Sequence, residues 1–239
     1  MTPRRRLALI GMGKMGKVLT QLAPERDWDI VATIGRGENL EGAGITASNL
    51  NGADVAIDFS VPNATVANIH AAVAAGCPIV VGTTGWQKGL SDVAAWVNRQ
   101  GGALLTASNF SIGVNAFEEI MAFATRILGQ TRAFDAHLVE THHAAKKDAP
   151  SGTAITLRNA AAGGWPKEIP ITSVRTGSVP GTHEMIFDAP FETVTLTHVA
   201  RDRRVFAEGA LIAAAWLIGR EGVFTMRDVL STHGGMGSG

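Results

Sequence analysis

The sequence predicts an α/β protein, with an N-terminal Rossmann-type doubly wound parallel sheet and a second α+β domain built on an open mixed sheet. Three observations carry that expectation. Short apolar runs alternate with amphipathic helical stretches through the first half of the chain, the rhythm of a parallel sheet buried on both faces. The first run, Leu7-Ala8-Leu9-Ile10, leads directly into Gly11-Met12-Gly13-Lys14-Met15-Gly16, a G-x-G-x-x-G at a strand-to-helix turn. After Val114 the pattern changes to one long helix and then to strands of alternating polarity between glycine and proline turns.

Taken in order, residues 7–10 form the first strand, and Val18, Leu19 and Leu22 give a helical apolar face that Pro24 ends. Residues 29–34 and 54–59 are the next strands, and 63–75 a helix with Val66, Ile69 and Val73 on one face. Residues 78–81 and 103–107 are strands around a helix at 90–99. Ligands of an open parallel sheet lie at the carboxyl ends of its strands. Ser60, the Gly82-Thr83-Thr84-Gly85 turn and Ser108-Asn109 place three small or polar endings there in series. Beyond them, residues 116–128 read as a helix with Phe117, Ile120, Met121, Ala124 and Leu128 inward. A strand at 133–139 enters a polar loop, and a helix follows at 153–162.

Strands at 169–175, 182–187 and 191–200 complete the second domain. Val194, Leu196 and the threonines between them mark a sheet with one open face, the kind that pairs with other subunits. An apolar helix at 205–218 and a segment at 224–230 return the chain to the first domain. The domains are therefore expected at 1–112 plus 205–239, for the dinucleotide, and 113–204, for substrate and oligomerisation. Residues 234–239 read as a glycine-rich tail without assignable chemistry.

The composition excludes several classes. The 239 residues carry 21 Lys plus Arg and 21 Asp plus Glu, so the net charge is zero, unlike the basic footprint of a nucleic-acid or membrane-surface binder. A single cysteine, Cys77, permits no internal disulfide and fits a reducing compartment. The apolar run after Arg6 is too short for a signal peptide or a membrane span, so a cytoplasmic protein is expected.

The densest chemistry lies in Glu140-Thr141-His142-His143-Ala144-Ala145-Lys146-Lys147-Asp148-Ala149-Pro150-Ser151-Gly152-Thr153-Ala154. A helix N-terminus at its end offers free N–H groups and a partial positive charge to an anion. Lys146, four residues past His142, can reach an anion held at Ser151-Gly152-Thr153. The reading is a site for a carboxylate-bearing substrate with a proton donor beside it. Paired histidines in a polar loop are also ordinary solvated surface. A Ser151/His142/Asp148 triad lacks the glycine-flanked elbow that exposes a hydrolase serine, and His-His followed by Lys-Lys sets cations where a metal ion needs neutral or anionic ligands. No metal is expected. At the end of the second strand, Thr33-Ile34-Gly35-Arg36 has no acid for the ribose hydroxyls, and Arg36 suits a 2′-phosphate, which leans the cofactor towards NADPH.

The chain resembles the dihydrodipicolinate reductase family. Glu140-x-His142-His143-x-x-Lys146-x-Asp148-Ala149-Pro150-Ser151-Gly152-Thr153-Ala154 matches that family's signature. Gly82-Thr83-Thr84-Gly85, Asn109-Phe110-Ser111-x-Gly113-Val114-Asn115, Arg175-x-Gly177, Gly181-x-His183, His198 and Phe206-Ala207-x-Gly209-Ala210 follow in the family's order. The resemblance implies hydride transfer from NADPH or NADH to C4 of a cyclic conjugated dicarboxylate in the diaminopimelate route to lysine, by a homotetramer. It implies His142 as proton donor, Lys146 as a second proton donor and substrate ligand, and His143, Ser151, Gly152 and Thr153 as substrate ligands. The cofactor is expected on Gly11, Met12, Gly13, Lys14, Met15, Gly16, Arg36, Gly82, Thr83, Thr84, Ala107, Ser108, Asn109 and Phe110. The first glycine loop is one residue shorter than in some members, and Gly35 replaces an acid that some carry, so both cofactors stay open. A dehydrogenase of another small acid and a non-catalytic NADPH sensor are the competing readings. Neither calls for the His-His-x-x-Lys stretch.

Overall fold

The computed structural model describes residues 3–233, and the expected tail at 234–239 lies outside them. The chain divides into two compact units, Met1–Ile112 with Phe206–Gly239, and Gly113–Val205.

In the first unit, β1 (Arg5–Ile10) ends in four fully buried residues, as a strand covered on both faces must. Helix α1 (Lys14–Leu22) turns Leu19 and Leu22 into the core and gives way to a 3₁₀ turn at Pro24. There follow β2 (Trp28–Ile34), β3 (Val55–Asp58), α2 (Pro62–Ala74), β4 (Ile79–Val81), α3 (Leu90–Arg99) and β5 (Ala103–Thr106). Helix α4 (Ile112–Thr131) leads into the second unit, which holds β6 (Asp135–His142), α5 (Gly152–Ala162), β7 (Ile171–Arg175), β8 (Gly181–Ala189) and β9 (Glu192–Ala200). Helix α6 (Arg204–Leu217), β10 (Gly222–Phe224) and α7 (Met226–His233) return to the first unit.

The first sheet has the order β10-β5-β4-β3-β1-β2 with every pair parallel. Alternate residues of β1 serve opposite faces. Leu7 and Leu9 join Leu19, Leu211 and Val229 on one side, while Ala8 and Ile10 join Ile69 and Val93 on the other. This is the doubly wound sheet expected from the sequence. Its strand order reverses between β1 and β3, which places the crevice for a ligand at the turn after Ile10. Strand β10 was not foreseen, because three residues behind Gly222 are too few to show a period.

The second sheet is mixed, in the order β7-β6-β8-β9, with β7 parallel to β6 and the other pairs antiparallel. Its covered face packs Leu138, Met185 and Phe187 against Phe117 and Met121 of α4 and Leu157 and Ala161 of α5. The opposite face is open, with Thr193, Thr195, Thr197 and Val199 of β9 exposed. Ile120 corrects the sequence reading. Expected inward, it is 52% exposed beside Phe123 and Ile127, because it falls about a quarter-turn off the stripe of Phe117, Met121, Ala124 and Leu128.

Candidate active site

At the reversal point, a cleft of about 350 Å³ is lined by Gly11, Met12, Gly13, Gly35, Arg36, Asn39 and Ser60, among others. Gly11 has φ +89°, and a Cβ there would lie 2.6 Å from the Phe59 carbonyl oxygen; at Gly16 it would lie 2.3 Å from the Gly11 carbonyl oxygen. Both glycines are thus required by the turn itself. Gly13 is different: nothing lies within 4 Å of its Cβ position, and α1 starts there with no side-chain cap. The first turn therefore presents bare backbone and a positive helix end to the cleft, the arrangement that takes a pyrophosphate. Lys14 is exposed. Met12 and Met15 pack partly on the core, which leaves Met15 a backbone role at the turn.

Beneath the strand ends lies a buried polar cluster that the sequence reading missed. Asp58, the last residue of β3, is fully buried. It accepts hydrogen bonds from the Ser60 amide (2.6 Å), Asn68 Nδ2 (2.9 Å) and Thr83 Oγ1 (3.3 Å), and Asn39 Nδ2 donates to Asn68 Oδ1 (2.7 Å). Burial raises the Asp58 pKa, against the pull of these donors. The cluster ties the ends of β3 and β4 to the loop after β2, including the cleft residues Asn39 and Ser60. Its available signal was a carboxylate ending the apolar run Val55-Ala56-Ile57.

Thr83 is accordingly buried and structural at its side chain, while Thr84 is exposed and Gly82 half-buried. A Cβ at Gly82 would lie 2.0 Å from the Phe59 ring. Phe110 is also a core residue, 2% exposed and edge-on to Phe59 at 5.9 Å. Ala107 packs partly on the core, Ser108 is exposed, and Asn109 Oδ1 accepts the Ser111 amide (2.9 Å). Of the expected cofactor residues, the cleft gathers Gly11, Met12, Gly13 and Arg36; the endings of β4 and β5 lie outside its lining.

In the second unit β6 runs to His142, three residues beyond the strand expected at 133–139, because β7 and β8 pair with it as far as His142↔Arg175 and Thr141↔Thr182. Glu140 and His142 thereby become alternate residues of a strand, both on its covered face. The fully buried Glu140 carboxylate forms an ion pair with Arg175 Nη2 (2.6 Å), accepts the Ser151 amide (3.3 Å) and contacts His142 Nδ1 through Oε2. Burial alone would raise the Glu140 pKa; hydrogen bonds from Arg175, Ser173 and Ser151, with the His142 charge, bring it down to about 2. Burial lowers the His142 pKa, Glu140 opposes that, and Lys146 and Arg175 add to it. A Cβ at Gly181 would lie 3.1 Å from His142 Nε2, so the glycine in Gly181-x-His183 leaves room for the ring.

Arg175 also donates to the Asp148 carbonyl (2.6 Å), and the Gly177 carbonyl accepts the Ala144 amide (3.1 Å). The Arg175-x-Gly177 motif therefore fastens the loop that carries Lys146. Lys146 Nζ pairs with the Asp148 carboxylate at 2.7 and 2.9 Å. That carboxylate has its pKa lowered first by Lys146 and also by the Gly152 amide. Asp148 thus rests an anion between Lys146 and the first residue of α5. Ser151, expected as a substrate ligand, is 2% exposed and caps α5, its hydroxyl accepting the Ala154 amide (3.1 Å). Gly152 is exposed, with nothing within 4 Å of its Cβ position, and His143 and Thr153 are half-buried. Glu140, Arg175 and His183 entered the sequence reading only as letters of a motif, since their side chains meet through strand pairing that no local spacing reveals.

One atom each of Glu140, His142 and His183 lies within 4.8 Å of the others, a spacing a metal ion could bridge. Arg175 on Glu140 and Lys146 beside His142 set two cations against that use, so the trio is better suited to hold a proton.

A glycine cleft at the switch point of one unit and an acid–imidazole–lysine cluster in the other define a nicotinamide-dependent oxidoreductase of the two-unit Rossmann class. Residues 5–110 match the N-terminal domain of dihydrodipicolinate reductase and residues 113–230 its C-terminal domain; the chain belongs to the dihydrodipicolinate reductase family. It is 36% identical over 237 residues to the 4-hydroxy-tetrahydrodipicolinate reductase of Christiangramia forsetii, covering 94% of this chain and 97% of that one. The enzyme of the same name from Desulfovibrio desulfuricans is 36% identical over 250 residues, covering 91% and 95%. Among solved structures, a dipicolinate-bound dihydrodipicolinate reductase from Paenisporosarcina superposes with a TM-score of 0.76 at 22% identity, over 93% of this chain and 97% of that one. The diaminopimelate (DAP) dehydrogenase of C. glutamicum superposes with a TM-score of 0.55 at 14% identity, over 94% and 93%. At these identities the two superpositions speak for the fold.

Proposed function

We propose that this chain reduces 4-hydroxy-tetrahydrodipicolinate (dihydrodipicolinate) to tetrahydrodipicolinate with NADPH or NADH, in the diaminopimelate route to lysine. The observation that carries this reading is the Glu140–His142 contact beside Lys146, at the N-terminus of α5, in a chain of this family.

The nicotinamide cofactor supplies the hydride. Its pyrophosphate fits the bare turn at Gly11 to Gly16, where only Gly13 leaves open space, and Arg36 on the cleft wall suits a 2′-phosphate. The endings of β4 and β5, at Gly82-Thr83-Thr84 and Ala107 to Phe110, are assigned to the rest of the cofactor. Glu140 at Nδ1 orients the His142 ring and leaves Nε2 to deliver the proton that completes the reduction. A substrate carboxylate takes the place of Asp148 between Lys146 and the amides of Gly152 and Thr153. That exchange is cheap, because the Asp148 side chain is 58% exposed and an exposed ion pair contributes about 0–1 kcal/mol. His143 completes the substrate ligands. The uncovered sheet face is assigned to a homotetramer interface. No helix among the described residues is long and apolar enough to cross a membrane, and the reaction is assigned to the cytoplasm.

The test follows nicotinamide absorbance with NADPH and NADH in parallel, on substrate made freshly from pyruvate and aspartate semialdehyde by a dihydrodipicolinate synthase. Oxidation that depends on that substrate is expected, and the ratio of the two rates reports on Arg36. Cofactor binding without oxidation would overturn the reading in favour of another substrate or a sensor.

A further inference from the structure

Two histidines of the second unit have no role in the mechanism above. His183 of β8 lies opposite Glu140 on one side and opposite His198 of β9 on the other, in register. His183 is 4% exposed, and both its ring nitrogens are buried without a hydrogen-bond partner, as is Nδ1 of His198. Leaving such atoms unpaired costs stability, so a buried imidazole with two unused nitrogens calls for a purpose. The His183 ring stands edge-on to His142 at 5.3 Å between centroids, and His198 follows at 6.5 Å. The three rings form a row across the covered face, from the buried His142 to the half-buried His198 on the edge strand, with Phe117 of α4 against the far end at 6.1 Å.

We propose that His183 and His198 are a proton relay that reloads His142 after it has protonated the substrate. The inference rests on the reductase reading given above. The step moves protons only. His142 loses the Nε2 proton to the substrate carbon, regains one passed on through His183, and His183 is refilled from His198, which draws on solvent; no electrons change hands. Two groups hydrogen-bonded to one water stand at most about 5 Å apart, so the 4.8 Å spacing of the Glu140, His142 and His183 atoms allows the transfer from His183 to His142 to run through a single water. Neutral imidazole can take a proton at one nitrogen and release one from the other, which requires both to be uncommitted.

The charged and titratable groups facing His183 are Glu140, His142, Lys146 and His198. Burial, then the His142 charge, with smaller contributions from His198 and Lys146, outweigh Glu140 and push its pKa down to about 4. His183 therefore rests neutral at pH 7, open to a proton in transit.

The test measures kcat of His183→Gln and His198→Gln in dilute and concentrated buffer, with and without added imidazole. The expected result is a kcat at least about tenfold lower for His183→Gln in dilute buffer, recovering as imidazole is added, with the KM for NADPH unchanged. His198→Gln should show the same buffer dependence at smaller amplitude. An unchanged kcat, or a loss that no buffer or imidazole restores, would overturn the relay while wild-type turnover leaves the reductase reading standing. A wild type with no turnover removes both. Thermal melts identify a variant that fails to fold. For that case, ¹⁵N-histidine NMR of His198→Gln must show a changed exchange rate of the His183 ring protons, and an unchanged rate also refutes the relay.

Discussion

The two candidate sites, one in each unit, are made from opposite materials and form the two poles of a chemical contrast. In the first unit the pole is backbone: Gly11, Gly13 and Gly16 act by having no side chain, and the anion is offered amides and a helix end. In the second unit the pole is side chains: Glu140, His142, Arg175, Lys146 and Asp148 hold one another through ion pairs and hydrogen bonds. A backbone pole binds any pyrophosphate at a fixed place and tolerates little added volume. A side-chain pole can be tuned residue by residue, but each buried charge depends on its partner. One difference follows in function. Changes at the first pole should alter cofactor affinity, whereas changes at the second should separate turnover from binding.

The largest expected effect tests that separation. His142→Ala should lower kcat by about 10²–10⁴-fold with little change in the KM for cofactor, measured by steady-state kinetics. Lys146→Ala should reduce kcat and raise the substrate KM together. Arg175→Met should destabilise the fold by about 3–5 kcal/mol in urea denaturation, because it strands the buried Glu140 carboxylate. A stable Arg175→Met would mean that Glu140 is not held as an anion.

The next prediction concerns pH. The neutral His183 has a folded pKa of about 4 against 6.5 unfolded. Its contribution is present above pH 6.5 and lost as pH falls towards 4, because the unfolded chain takes up the proton first. The gap amounts to roughly 3 kcal/mol, and Glu140, lowered to about 2 from 4.5, continues the loss in the same direction below pH 4.5. His183→Gln should flatten the stability curve between pH 6.5 and 4, which urea titrations at stepped pH would register.

At the first pole, Gly11→Ala forces a Cβ onto Phe59 at positive φ, a strain of about 1–3 kcal/mol, and should raise the cofactor KM with kcat at saturation preserved. A kcat loss at saturating cofactor would break the proposed division between the poles. The smallest effect belongs to Asp148→Asn. It frees Lys146 from its resting anion, and a few-fold lower substrate KM is expected, since the exposed ion pair it removes contributes about 0–1 kcal/mol.

The two poles also differed in how far the sequence displayed them. The glycine turn is local: six consecutive residues after an apolar run specify strand, turn and helix, and the doubly wound sheet follows from repeating that rhythm. The second pole is local only from His142 to Thr153. Its structural partners come from strands paired at a distance, Arg175 from β7 and His183 from β8, and nothing in their spacing along the chain predicts contact with Glu140. Asp58 is a similar case, because a carboxylate after an apolar run reads as a turn until Asn68 and Thr83 are seen to enclose it. Ile120 misled for a simpler reason: an apolar residue one step off a helical stripe cannot be placed by period alone.

Strand β10 sets an order on how this molecule can be assembled. It completes the first sheet by pairing with β5 through residues 222–224, and α6, which precedes it, covers the face that carries Leu7 and Leu9. While the chain is being synthesised from its N-terminus, β5 must remain an exposed edge and that face must remain bare until the whole second unit has been made. The second unit has a continuous sequence and can fold while the first waits. An exposed apolar strand edge invites wrong pairing, so the first unit, begun earliest, is the one that most needs protection on the ribosome.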